Sequence, residues 1–347
     1  MYESDVSTVN TALTNANPTI FSDDTINRIL SLTTKDNTTT RFDSVAPDAN
    51  GNVTVSAGAE VVFVATSDIF QTTVKPPVNA PVVIFQGRGG VVATLNDGIT
   101  TPSGNQSQVD RIVVGSSGGD KIIVADAKNT QVVLGSGDSS VQAGGGVDTV
   151  YAGLGNSTIV GGSGDYAVVK LAGNAANYTV TQNSGRAIVT DMTTHKTTDI
   201  SKIQYVQLDN GNALIFAKNS VEGQVATLYH TAFGRTAEAG GLDYWFDVVK
   251  GGATLKQVAD AFTHSAEFAA MAAKTDVAFI ESLYQNTFNR SADAGGVAFW
   301  QDSLAQGKTR GDLIADFATI AIQNVQHTAH NQEAQVIGNV SIVTGII

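Results

Sequence analysis

Between Val114 and Val168 every ninth residue is a β-branched aliphatic: Val114, Ile123, Val132, Val141, Val150, Ile159 and Val168. Glycine keeps the same period in two further phases, at Gly119, Gly137, Gly146, Gly155 and Gly164, and at Gly135, Gly144, Gly153 and Gly162. A period of this kind describes one tight turn and one short strand, repeated. Glycine supplies turn conformations that other residues resist. The aliphatic points into a narrow core, and stacked units pair their strands. The pattern predicts a parallel β-solenoid over residues 107–169.

The flanks read differently. Residues 1–106 begin with a polar, helical lead-in and continue as short β-branched runs separated by turn signals, such as "GNVTVSAGAEVVFVATS". Residues 170–217 read as hairpins that turn at Asn183–Gly185 and Asn210–Gly211, placed to cap the open end of a solenoid. Residues 218–325 change to helical spacing, and one unit occurs twice at an offset of 55 residues. Leu228, Tyr229, Phe233, Arg235, Gly240, Gly241, Trp245 and Phe262 recur as Leu283, Tyr284, Phe288, Arg290, Gly295, Gly296, Trp300 and Phe317. Residues 326–347 form an apolar tail, an aggregation hazard unless it docks. The expected fold is multidomain β plus α: a β-rich region running into a solenoid, then a helical tandem repeat.

A net charge of −12 argues against a nucleic-acid partner, which would require clustered Lys and Arg. Only 15% of residues are charged, so the surface is rich in uncharged polar groups, as in many secreted β-proteins. The absence of cysteine excludes disulfides, thiol catalysis and Cys-ligated zinc. No basic and apolar leader is visible at the N-terminus, and no apolar run is long enough to span a membrane. The expectation is a cytoplasmic protein, or one exported by a route that reads no N-terminal signal.

Residues 114–168 resemble the RTX family of calcium-binding nonapeptide repeats, Gly-Gly-x-Gly-x-Asp-x-U-x with U a large aliphatic. That resemblance implies calcium held between stacked turns by carboxylates and carbonyls, and secretion by a type I system through an uncleaved C-terminal signal. In "AGGGVDTVY" Asp148 stands at the ligand position; the other units carry Ser139, Ser157, Tyr166 and Lys121 there. Asp120, Asp138, Asn156 and Asp165 sit one place earlier, where a side chain is expected on the other face, capping turns. Asp148 is therefore the leading candidate for calcium, followed by Asp138, Asp165 and Asp120.

The duplicated segments "LYHTAFGRTAEAGGLDYW" and "LYQNTFNRSADAGGVAFW" resemble the DUF4214 family. That family accompanies RTX repeats and surface-layer proteins, and the resemblance implies contact with glycans or sister subunits. Arg235 with Glu238, and Arg290 with Asp293, read either as internal salt bridges that fix a turn or as carbohydrate contacts beside Trp245 and Trp300. No nucleophile, acid–base pair or phosphate loop is recognisable, so no enzyme is expected. The sequence reads as an extracellular bacterial structural or adhesive protein. It would self-associate as a surface-layer, biofilm-matrix or filament subunit and could also contact a cell-surface glycan. The alternative is a secreted protein that binds or modifies polysaccharide.

Overall fold

The computed structural model describes residues 2–16, 20–33, 39–106, 108–164, 166–183, 186–271, 275–323, 334–337 and 340–344. A strand-rich N-terminal region with parallel sheets is followed by a helical C-terminal region. The chain divides into two units: residues 1–171 with 188–203, and residues 172–187 with 204–347. The expected boundary at 106/107 falls inside the first unit, and the expected cap at 170–217 is shared between the two.

In the first unit, β1 (Tyr2–Asp5) leads into helices α1 (Val6–Ala16) and α2 (Asp23–Thr33). Strands β2 (Thr39–Val45), β3 (Val61–Ala65), β4 (Thr72–Val74), β5 (Val82–Gln86), β6 (Val91–Leu95), β7 (Arg111–Val114) and β8 (Lys121–Val124) follow. Then come β9 (Thr130–Val133), β10 (Ser139–Gln142), β11 (Asp148–Tyr151), β12 (Ser157–Val160) and β13 (Ala167–Lys170). From β3 onward the chain visits two sheets in alternation. One sheet runs β1-β2-β3-β5-β7-β9-β11-β13, parallel from β2 onward. The other runs β4-β6-β8-β10-β12 and on to β16 (Thr197–Ser201), parallel over these six strands.

Parallel sheets are stable when covered on both faces, and the first sheet is. Val9, Leu13, Ile26 and Ile29 of α1 and α2 pack on its row Val61, Val82, Ile84, Ile112, Val114 and Val133. The opposite row, with Val62, Val83, Val113, Val132 and Val150, is also buried. Helix α2 starts at Ser22, whose hydroxyl accepts from the Thr25 N–H, and carries Asp23 and Asp24 in its first turn, as the helix dipole favours. Tyr151 donates to Asp24 at 2.6 Å and so ties the helix to the sheet.

The nine-residue row holds in its middle and slips at both ends. Pairing advances nineteen residues from Val113 to Val132, eighteen to Val150 and nineteen to Val169. Val113, Ile122 and Val169, rather than Val114, Ile123 and Val168, stand in register with Val132, Val141, Val150 and Ile159. One cause is a turn with an extra residue. Ala125–Asn129 follows Val124, whereas only Gly144–Val147 follows Ala143, the residue beside Val124.

The second unit holds β14 (Tyr178–Asn183) and the start of β15 (Arg186–Asp191), then β17 (Tyr205–Gln207) and β18 (Ala213–Ala217). β17 and β18 are antiparallel, and the turn expected at Asn210–Gly211 is there, with φ of 55° and 74°. Residues 184 and 185 of the other expected turn lie outside the described residues. Seven helices follow among the described residues: α3 (Ser220–Phe233), α4 (Ala239–Lys250), α5 (Leu255–Thr263), α6 (Ala266–Met271), α7 (Asp276–Phe288), α8 (Ala294–Ala305) and α9 (Arg310–Gln323). The tail returns as β19 (Ala334–Ile337) and β20 (Val340–Thr344). β20 lies parallel to β18 and antiparallel to β19, with Ile342 and Val343 buried. The described part of the apolar tail, an aggregation hazard unless it docks, thus docks within its own unit.

The turns of the first unit approach so closely that a Cβ on Gly153 would collide with the Gly135 carbonyl oxygen. Gly153→Ala is expected to destabilise the protein by about 2 kcal/mol or more, read as a fall in the urea midpoint.

Candidate functional site

Two groups of side chains compete as functional sites, one in each unit. In the first unit, register brings Arg111, Thr130, Asp148 and Ala167 into one row along the first sheet. The corresponding row of the second sheet is Asp120, Ser139, Ser157 and Thr198. Asp120 therefore occupies the position expected for Lys121, displaced by the longer turn, and it does not share the setting of Asp138. Each row holds one carboxylate.

Both carboxylates are buried and already used. Asp148, 1% exposed, accepts from the Thr130 N–H at 3.0 Å and the Gly144 N–H at 2.6 Å. Asp120 accepts from the Ser116 N–H at 2.8 Å, the Ser116 hydroxyl at 2.6 Å and the Val91 N–H at 2.9 Å. Burial pushes both acids up to about 6, against these hydrogen bonds. Asp138 is exposed and accepts from the backbone N–H of Asn156 at 2.8 Å and from its side-chain amide, which hold its carboxyl below the usual range. It caps a turn, as expected. Asp165 lies outside the described residues.

The buried cation in this group is an arginine. Arg111, 2% exposed, reaches Asp126 with two hydrogen bonds of 2.9 and 2.8 Å and Thr130 with one of 2.9 Å. Asp97 and Lys128 complete the group. Burial would raise the Asp126 carboxyl, but its bonds from Arg111 and the Asp97 N–H overcome this and hold it below its ordinary value. The sequence reading missed this cluster because Arg111 and Asp126 follow no period. The extra residue of the Ala125–Asn129 turn was the available signal.

A calcium ion needs six to eight oxygens free to face it. Among the described residues no three His, Asp or Glu side chains could together hold a metal ion. The two rows do not fit calcium: each supplies one carboxylate whose oxygens accept N–H groups, and Arg111 heads one of them.

In the second unit the two repeats build the same object. Tyr229, Phe233 and Trp245 gather round Phe262, with centroids 4.8, 5.1 and 5.4 Å away. Tyr284, Phe288 and Trp300 gather round Phe317 at 5.1, 5.7 and 5.0 Å. The second glycine of each Gly-Gly pair lets the tyrosine hydroxyl approach. A Cβ on Gly241 would meet the Tyr229 oxygen at 2.6 Å, and one on Gly296 would overlap that of Tyr284. Gly234 and Asn289 end α3 and α7 in the left-handed conformation, which explains why Asn can replace Gly there.

The polar halves of the repeats differ. Arg235 donates to Glu267 at 2.6 and 2.9 Å and to Glu238 at 2.8 Å, and these partners, Glu267 first, push the guanidinium further up. Arg290 shares with Arg235 only the other contacts: each lies over its tyrosine ring, Tyr284 at 4.7 Å and Tyr229 at 5.4 Å, and donates to the next carbonyl, of Ser291 and of Thr236. Asp293 caps α8, accepting from the Gly296 N–H at 2.7 Å. The arginines and acids thus serve the turns. Trp300 is buried and Trp245 half-buried, both in the aromatic clusters. No helix among the described residues is long and apolar enough to cross a membrane.

Residues 216–272 and again residues 271–321 match the family described as Domain of unknown function (DUF4214). No curated protein and no solved structure matches the chain.

Two measurements check the reading of the rows. The folded protein holds Asp148 at about 6, and the unfolded chain at about 3.9. The folded state therefore binds more protons between these values, and stability falls as pH rises through them. Asp148→Asn carries no such charge. Its stability deficit relative to wild type, from urea unfolding, is expected to be about 1 kcal/mol smaller at pH 7.5 than at pH 5. Calcium at about 1 mM, or excess EGTA, is expected to move the thermal midpoint by less than about 2 °C.

Proposed function

We propose that this protein is an extracellular, self-associating structural or adhesive subunit, not an enzyme. The alternating parallel strands are read as coils of a β-solenoid that serves as a spacer, and the DUF4214 pair as its contact module. The RTX resemblance supports export by a type I system. Rows that do not fit calcium are compatible with that, because turn-capping side chains and Arg111 already hold the stacked turns.

The observation that carries the self-association reading is an open sheet end. β4, three residues long, borders the second sheet, and beyond it Asn52 and Lys75 form a single parallel bridge. Val53, Thr54 and Val55 continue from that bridge outside any strand, with Thr54 exposed and the two valines half-buried. An unpaired β-prone segment at the end of a parallel stack is a template for strand addition by another copy. Head-to-tail pairing of this kind gives fibres when it does not close.

Negative-stain microscopy of the purified full chain is expected to show fibres or sheets. Thr54→Pro removes an N–H from the open segment and is expected to leave the unfolding midpoint nearly unchanged while reducing assembly severalfold by light scattering. Wild-type protein that stays monomeric at all concentrations would refute the proposal.

A further inference from the structure

The residue before each repeated tryptophan is a large aromatic that faces solvent. Tyr244 is 60% exposed and Phe299 is 61% exposed, and they stand at the same offset of 55 residues as Trp245 and Trp300. Each ring meets its tryptophan edge-on, with centroids 4.9 Å apart at 77° and 80°. The tryptophan thus belongs to the core cluster and braces an outer ring that the core does not use. Each outer ring is followed three residues later by an exposed aspartate, Asp247 and Asp302. That spacing puts ring and carboxylate on one helix face.

We propose that Tyr244 with Asp247, and Phe299 with Asp302, are two copies of a platform for a neutral polysaccharide. This deepens the adhesive reading above by naming the surface and the ligand class. A hexose presents an apolar C–H face the size of one aromatic ring, with hydroxyls at its rim. The braced ring takes the C–H face, and the adjacent carboxylate accepts from hydroxyls. A protein partner would call for a contiguous apolar patch, whereas each ring here shares its helix face with a carboxylate. Charge narrows the ligand further. The chain carries a net −12, and an aspartate stands beside each ring, so an acidic polymer is repelled. Asp247 has a cation near it, Lys250 at 3.8 Å, but that pair is exposed and hydroxyls can compete with it. A single ring binds one sugar weakly. Two platforms on one chain let a polymer long enough to reach both bind twice, and the second contact gains from the effective concentration set by the first. This accounts for keeping the exposed ring in both copies while their arginine partners diverge.

The test is affinity electrophoresis of the full chain in native gels cast with hydroxyethylcellulose, glycol chitin, dextran or alginate. Retardation is expected in at least one neutral polymer and not in alginate. Tyr244→Ala and Phe299→Ala singly should weaken it by about tenfold, and the double variant should abolish it. Both positions are exposed, so unfolding midpoints should remain within about 2 °C of wild type, which separates lost binding from lost fold. No retardation by any neutral polymer, retardation unchanged in the double variant, or preference for alginate would each overturn the proposal. Assembly is scored on the same variants without polysaccharide. Fibres with no glycan binding sink this inference alone, and glycan binding without fibres sinks only the self-association reading.

Discussion

Everything in the first unit depends on how closely one turn can lie on the next. Parallel strands in register force successive turns to stack backbone on backbone, and the space above the Gly135 carbonyl admits a hydrogen but no methyl group. Close approach allows the hydrogen-bond ladder to continue from strand to strand, and it leaves the buried N–H groups of Val91, Thr130 and Asp120 at the strand starts. Buried N–H groups need acceptors. Asp120 and Asp148 supply them, and Ser139 accepts from the Asp120 N–H in the same way. In a calcium-bound repeat the ion would organise such turns. Among the described residues, hydrogen bonds and the Arg111 guanidinium do so.

Much of this was legible in the sequence. The aliphatic and glycine phases between Val132 and Ile159 located strands and turns because each phase has one steric meaning. Legibility failed where a turn grew by one residue. A nine-residue frame cannot register an insertion that lands on another aliphatic, and Val113–Val114, Ile122–Ile123 and Val168–Val169 are adjacent aliphatic pairs that hide the slip. The frame consequently gave Lys121 the place that belongs to Asp120. Arg111 and Asp126, fifteen residues apart, were unreadable because their pairing follows from fold and not from period. The helical character of the lead-in was legible, but not its division into α1 and α2, nor their role as the cover of a sheet whose strands come from far along the chain.

The tandem repeat was read correctly as a duplication and only partly as a surface. Identity at matched positions marked both the cluster around Phe262 or Phe317 and the turn residues, and it could not separate them. What separates inside from outside is one residue's rotation on the helix, 100° between Tyr244 and Trp245. The Tyr-to-Phe difference at 244 and 299 placed that position below the identities in the sequence comparison, although both residues are large rings. Matching by physical type instead of identity would have found it.

The docking of β20 beside β18 has a further consequence. Ala213 is paired with Val340, 127 residues later. The helical repeats lie between these two strands, so the unit is a long loop whose ends are joined at one sheet. Closing such a loop costs more entropy than the local contacts inside each repeat. Each repeat can form its aromatic cluster early, but β18 stays open on one side until the last strand arrives. A chain that has not yet released residues 340–344 therefore leaves the five residues of β18, Ala213–Ala217, all buried in the folded protein, without their partner on one edge.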